Sequence, residues 1–211
     1  MIVNPLHLLL GSVALAGASP SPIARETMEE AALNAKTLVH DVSIGTMSSV
    51  FSSESPNAGH PFAIMEYHAP CHPSSSLTFS LMPISLSTHN ILQDKHHRAT
   101  YTVSMPYDNA RSAMSRARVS LIGNITVLDY DEIPWKERER LRSCYHRYHP
   151  DAWWTPMRRQ RQPHESFWAR LDIQDIYYVG GFGDTHYIGH IPVDMYAAAG
   201  ENSSPSMVIQ V

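Results

Sequence analysis

Apolar and polar residues alternate with a period of two along several stretches of the chain, which is the pattern of half-buried strands. In 77–82, a leucine or phenylalanine occupies every second position. Other stretches are rich in β-branched and aromatic residues, which favour strands. The predicted strands are 42–51, 62–68, 77–82, 99–104, 117–128, 166–179 and 187–191. Within 117–128, Gly123 predicts a bulge or a close approach of a neighbouring strand.

Two longer segments predict helices. Residues 23–40 are dominated by good helix formers, and 133–148 begins with Pro134, which suits a first helical turn. Residues 85–93 predict a short helical turn with Ser87 or Thr88 as its cap. Runs of strands with few helices favour a barrel or sandwich over a parallel βαβ sheet. The predicted class is mainly β with flanking helices (α+β).

The N-terminal segment is typical of a secretory signal peptide. Residues 6–16 are apolar, and the small residues at 16–18 match a cleavage pattern, so we predict a signal peptide over 1–18. An apolar N-terminal helix packed on the fold is the alternative. The apolar stretch is shorter than the roughly 20 residues that a bilayer span needs. No later stretch is a candidate, so no membrane insertion is expected.

Two further features bear on export. Asn124 and Asn202 each begin a glycosylation sequon. Asn124 falls inside a predicted strand, so it must face outward to carry a glycan. The two cysteines, Cys71 and Cys144, form one disulfide in an exported chain or remain two separate thiols, and the sequence leaves both readings open.

Charge and histidine content narrow the function. The formal net charge is -4, so the chain has no strongly basic field and nucleic acid is not an expected partner. The 13 histidines include close pairs, such as His186 and His190, which would share one face of a strand. No cysteine or carboxylate completes a zinc-like spacing, and no catalytic triad is recognisable. The sequence therefore predicts no metal site and no catalytic residue.

Five short motifs together resemble a known family. They are GHPFA at 59–63, ARVSLIG at 117–123, HPDAWW at 149–154, FWARL at 167–171 and VGGFG at 179–183. Their order resembles the CREG family, which is related to pyridoxamine 5'-phosphate oxidase, over residues 24–196, and leaves 197–211 as a C-terminal tail. The resemblance implies a six-stranded antiparallel split β-barrel of the FMN-binding type, usually a homodimer. It also implies a secreted, endolysosomal or vacuolar glycoprotein.

The resemblance also locates a possible flavin site between the two subunits. In flavin-using relatives, Arg, Lys, Ser or Thr on adjacent strands hold the phosphate. Segment 62–68, where those relatives carry Arg and Lys, has neither, and Glu66 would repel a phosphate. The remaining cofactor-binding candidates are Ser80, Ser87, Thr88 and His89. Ordinary capping and strand positions are the competing interpretation of these polar residues.

Three functional hypotheses follow. The preferred one is a secreted CREG-like homodimer that is non-catalytic, serves binding or recognition, and has a weakened flavin cleft with no cofactor. The alternative is an FMN-dependent oxidoreductase of the pyridoxamine 5'-phosphate oxidase-like class. A third is a haem-binding split barrel, because some relatives bind haem. The aromatic residues at 153, 154, 167, 168, 177 and 178 are predicted to form barrel core and dimer seam.

Overall fold

The computed structural model of the chain describes residues 25–109, 112–157 and 165–200. The predicted signal peptide, Asn202 and most of the predicted tail lie outside these ranges. Helix α1 spans Met28–Asp41 and starts later than predicted, because Thr27 caps it. The Glu30 N–H donates to the Thr27 hydroxyl (3.2 Å), and the Thr27 N–H donates to the Glu30 carboxylate (2.8 Å). This reciprocal pairing satisfies two backbone donors that would otherwise have no partner in the helix.

All seven predicted strands are present. They are β1 (Ile44–Val50), β2 (Pro61–Tyr67), β3 (Leu77–Leu81), β4 (Arg98–Ser104), β5 (Arg118–Leu128), β6 (Phe167–Val179) and β7 (Ile188–His190). The other helices are α2 (Leu86–Gln93), α3 (Trp135–Tyr148) and α4 (Val193–Ala198), with a 3-10 turn at Ala113–Ser115. Helix α4 and the 3-10 turn were not predicted. Both are too short to show a helical period in the sequence.

Six strands form the predicted antiparallel barrel in the order β2-β1-β4-β5-β6-β3, and β7 extends the sheet by pairing with β6. An isolated bridge between Ala69 and Thr78 joins the chain after β2 to β3, so the two ends of the sheet meet there. No helix within the described ranges has the length and apolar character needed to cross a bilayer.

The bulge predicted at Gly123 is confirmed. The register between β5 and β6 shifts between Ile122 and Gly123, which leaves Gln174 of β6 as the extra residue. A Cβ atom at position 123 would lie 2.1 Å from the Asp172 carbonyl oxygen, so only glycine permits this approach of the two strands.

The core consists of two clusters. The interior cluster consists of the residues that fill the barrel and the residues of α1 that pack against them. Its members include Ala31, Ala35, Leu38, Met47, Phe79, Tyr101, Leu121, Ile125, Leu171 and Ile176. The α3 cluster lies between the barrel and α3: Ala69, Cys71, Leu141, Tyr145, Ala152 and Trp168. Of the predicted aromatic group, Trp168 and Tyr178 are core residues, whereas Trp153 and Tyr177 are exposed.

Cys71 and Cys144 form a disulfide, which answers the question that the sequence left open. It connects the loop before β3 to α3. Arg140 of α3 also donates to the Cys71 carbonyl oxygen at 2.7 Å. The loop and the helix are therefore joined by a covalent bond and by a charged hydrogen bond.

Strand β3 is buried on both faces, although its alternation predicted a half-buried strand. One face carries Phe79, whose ring meets Tyr101 in the interior cluster. On the other face, Ser80 is paired with Trp168, a member of the α3 cluster. The α3 cluster therefore covers the face that the sequence marked as solvent-exposed.

Candidate functional site

The four cofactor-binding candidates differ sharply in accessibility. Ser80 on β3 is 1% exposed, and Ser87 and Thr88 on α2 are 1% and 0% exposed, whereas His89 is exposed. Ser85, rather than Ser87 or Thr88, is the N-cap residue of α2, so both of those side chains lie within the helix. Three of the four side chains therefore face protein and not solvent.

The buried hydroxyls of this region are poorly satisfied. Within the described residues, Thr78, Ser80 and Thr88 have hydroxyl oxygens without a hydrogen-bond partner. Ser87 contacts the Ser85 hydroxyl at 2.9 Å. A buried hydroxyl without a partner costs about 1–3 kcal/mol. These groups have spare bonding capacity, but their burial separates them from any ligand in solvent.

Strand β2 supplies no cation for a phosphate. It carries Glu66 instead, and burial raises the pKa of that carboxyl to about 7. The Glu66 carboxylate accepts one hydrogen bond, from the Tyr67 N–H at 3.3 Å. As placed, β2 and α2 present to a flavin phosphate one exposed imidazole, a carboxyl group and no guanidinium or ammonium. They do not fit a group that requires charged donors.

Beside Glu66 lies a buried polar network that the sequence did not predict. His68 Nε2 donates to the Val39 carbonyl oxygen at 2.9 Å, so Nδ1 of the neutral ring accepts from the Tyr101 hydroxyl, also at 2.9 Å. The Tyr101 hydroxyl oxygen lies 2.8 Å from the Glu66 carbonyl oxygen as well, so its single proton is shared. Burial lowers the pKa of His68 to about 4, which keeps the ring neutral.

The HPDA motif anchors α3 to this network. His149 Nε2 donates to the His68 carbonyl oxygen at 2.8 Å, and the His149 ring stacks on Tyr67 with centroids 4.2 Å apart. Tyr67 in turn donates to the Asp151 carboxylate at 3.1 Å. Every one of these side chains already has a protein partner. The arrangement holds α3 against the end of β2 and presents no free nucleophile.

A cavity of about 530 Å³ opens on the outer face of the sheet, with lining residues from β1, β2, β4, β5 and β6. Asn124 lines it and is half-buried, whereas its neighbour Ile125 is buried in the interior cluster. The outward orientation that glycosylation of Asn124 requires is therefore present. The cavity itself has no signal in the sequence, because its walls come from five strands that are separated along the chain.

His186 and His190 have different partners in the fold. His186 precedes β7 and lies 3.6 Å from the Glu26 carboxylate, whereas His190 contacts Asp175 at 2.9 Å. The prediction that His186 and His190 share a strand face was wrong, because β7 begins only at Ile188. Across the described residues, no three histidine, cysteine or acidic side chains are grouped so that they could hold a metal ion.

Comparison with known proteins agrees with the β-barrel fold described above. The family model described as CREG, beta-barrel matches residues 26–198. A heme binding protein from Mycobacterium smegmatis superposes with a TM-score of 0.62 at 18% identity, covering 83% of this chain and 62% of that one. A protein of unknown function from Agrobacterium tumefaciens has a TM-score of 0.54 at 18% identity, covering 81% and 62%.

Campylobacter jejuni ChuZ also superposes, with a TM-score of 0.54 at 12% identity, covering 77% of this chain and 61% of that protein. This chain therefore spans less than two thirds of each of these three proteins. At such identities the likeness establishes the fold alone. No curated protein sequence gives a significant match.

Proposed function

The chain belongs to the CREG β-barrel family, and on that premise we propose that it is an exported, non-catalytic binding or recognition protein that acts as a homodimer without a tightly bound flavin. The observation that carries the proposal is the burial of Ser80, Ser87 and Thr88, each at most 1% exposed. A phosphate could reach their hydroxyls only after α2 or β3 moved. No arginine or lysine on β2 or α2 is available to compensate.

Export is supported by two independent features. The disulfide between Cys71 and Cys144 is of a kind that persists in oxidising compartments and is rare in reducing ones. The N-terminal sequence has the apolar core and the small residues of a cleavable leader. Together they favour a secreted, endolysosomal or vacuolar location.

Two alternatives concern a cofactor. An FMN-dependent oxidoreductase would need a phosphate contact that His89 alone would have to provide. Haem binding is favoured by the fold shared with the heme binding protein from Mycobacterium smegmatis. Both ring nitrogens of His68 are hydrogen-bonded, so a haem iron would need a different donor, such as the exposed His89.

Secretion from a eukaryotic host with the chain's own N-terminal segment tests the proposal. We expect a mature N-terminus at residue 19, and neither a flavin band near ~450 nm nor a Soret band near ~400 nm. Titration with FMN or haem should show no saturable binding below about 0.1 mM, weaker than a typical retained cofactor.

Stoichiometric flavin or haem in the purified protein would overturn the non-cofactor part of the proposal. His89→Ala is the matched variant, because His89 is the one exposed member of the four candidates. Loss of a cofactor band in this variant would identify His89 as a contact and select the enzymatic or haem alternative. An uncleaved, retained chain would overturn export.

A further inference from the structure

The cavity on the outer face of the sheet has Asn124 in its wall. Asn124 is paired with Arg98 across β4 and β5, so the two side chains lie side by side on that face. The bulge at Gly123 places Gln174 of β6 on the opposite wall. The acceptor of the first sequon therefore lies within a concave surface and not on a convex loop.

The cavity lining is mainly apolar, and its polar part carries few charged groups. Arg98 is the one arginine or lysine of the lining, and its guanidinium is already paired with the Asp94 carboxylate at 2.7 Å. The hydroxyls of Ser48 and Thr100 and the amide of Gln174 supply neutral donors and acceptors. His96 is the other ionisable side chain of the lining, and the remaining polar groups are neutral, which suits a ligand with many hydroxyl groups.

The remaining wall is apolar. Ile122 and Val50 lie on the outer face, 36% and 49% exposed, and both line the cavity with Pro61. An apolar wall beside neutral hydrogen-bonding groups suits a pyranose ring, which has a C–H face and hydroxyl edges. The volume of about 530 Å³ falls within the usual range of small-ligand sites.

We propose that the N-linked glycan carried by Asn124 folds back into this cavity, so that its first sugar residues pack against Ile122 and bond to the polar lining. Because the glycan is tethered to the wall, its effective concentration in the cavity is on the order of millimolar, and weak individual contacts suffice. This inference rests on the exported location proposed above. The glycan would cover a sheet face that is otherwise open.

Native deglycosylation tests the proposal. The chain is secreted behind a heterologous leader, so that the result does not depend on its own N-terminus, and the Asn124 peptide is analysed by mass. We expect a peptide-N-glycosidase to remove this glycan at least about tenfold more slowly from folded than from denatured protein. A tenfold difference corresponds to a glycan that occupies the cavity, and is inaccessible to the enzyme, about nine-tenths of the time. Asn124→Gln marks the unglycosylated state.

Ile122→Thr should abolish this protection, because it keeps a β-branched residue on the strand but removes the apolar contact. Val127→Thr is the matched control, since Val127 lies on the same strand at 39% exposure and outside the cavity. It should retain the protection. An unmodified Asn124 in the secreted protein would overturn this inference but would leave the proposal that the chain is exported unaffected. Equal rates for folded and denatured protein would show a glycan that does not enter the cavity.

Discussion

At the scale of single residues, the half-buried Glu66 and the buried His68 have protonation equilibria that are linked to folding in opposite directions. Burial holds the Glu66 pKa at about 7, above its ordinary 4.5, so the folded protein keeps a proton that the unfolded chain releases. Its contribution to stability is complete below pH 4.5 and is lost as the pH rises to 7. Burial lowers the His68 pKa from 6.5 to about 4, so its contribution is complete above pH 6.5 and is lost towards pH 4.

Between pH 4.5 and 6.5 the pH-dependent contributions of Glu66 and His68 to the free energy of unfolding therefore offset each other. Glu66→Gln removes the Glu66 contribution and leaves that of His68. We expect this variant to lose about 1–2 kcal/mol more stability than the parent protein on acidification across this range, since one pKa unit corresponds to roughly 1.4 kcal/mol. Urea unfolding at several pH values measures it. Glu54→Gln, in an exposed turn, is the control, and parallel pH profiles for Glu66→Gln and the parent protein would contradict the argument.

At the scale of elements, α3 is attached to the barrel by few contacts. Only Leu141 and Tyr145 of its 14 residues are buried, and no side chain caps its N-terminus. The rest of the attachment includes the disulfide to Cys71, the partly buried Tyr148, and hydrogen bonds from Arg140, Tyr145 and His149 to backbone carbonyl oxygens. The position of α3 therefore depends strongly on the covalent link.

The double variant Cys71→Ser/Cys144→Ser is expected to lose about 4 kcal/mol of unfolding free energy, as the loop-entropy relation gives for a long closed loop. The cysteines are 73 residues apart. Denaturant midpoints with and without reductant measure the loss. Reductant should not change the stability of the double variant. Equal stability of the oxidised and reduced parent protein would show that the link is energetically silent.

The positions of the strands could be predicted from the sequence, whereas the contacts that bury them could not. Period-two alternation, together with β-branched and aromatic composition, predicted all seven strands. The prediction that β3 is half-buried was wrong, because the α3 cluster covers its second face. That cluster includes Tyr145 and Trp168, which lie more than 60 residues further along the chain. The His68–Tyr101 pair had no local signal, because only the barrel fold brings residues 33 positions apart into contact. The bulge was predictable because glycine in a strand is itself unusual.

At the scale of the whole molecule, one sheet edge is open. Apart from the bridge at Ala69, the outer edge of β2 pairs with no other strand in the described ranges. This strand carries Ile64 and Met65, which are 46% and 61% exposed. An exposed apolar edge favours association, and proteins commonly protect such edges with charges or with a partner. The proposed homodimer would cover it.

We expect the secreted protein to have about twice the mass of one chain in light scattering, because burying such an edge is favourable. Met65→Lys should shift the protein towards monomer, since it places a charge on the edge. Met114→Lys is the matched control, at 59% exposure on the 3-10 turn. Dissociation in the control variant alone, or a monomeric parent protein, would exclude β2 as the interface.

Strand β6 has a consequence for the order of events during synthesis. It pairs with β5, β3 and β7 and contributes to both core clusters, yet it begins only at Phe167. A nascent chain therefore cannot close the barrel until most of it has been made. Thr126 is the threonine that the Asn124 sequon requires. In the folded protein its hydroxyl donates to the Asp172 carboxylate of β6. In the proposed export, the late synthesis of β6 would leave that sequon unpaired and accessible to a modifying enzyme.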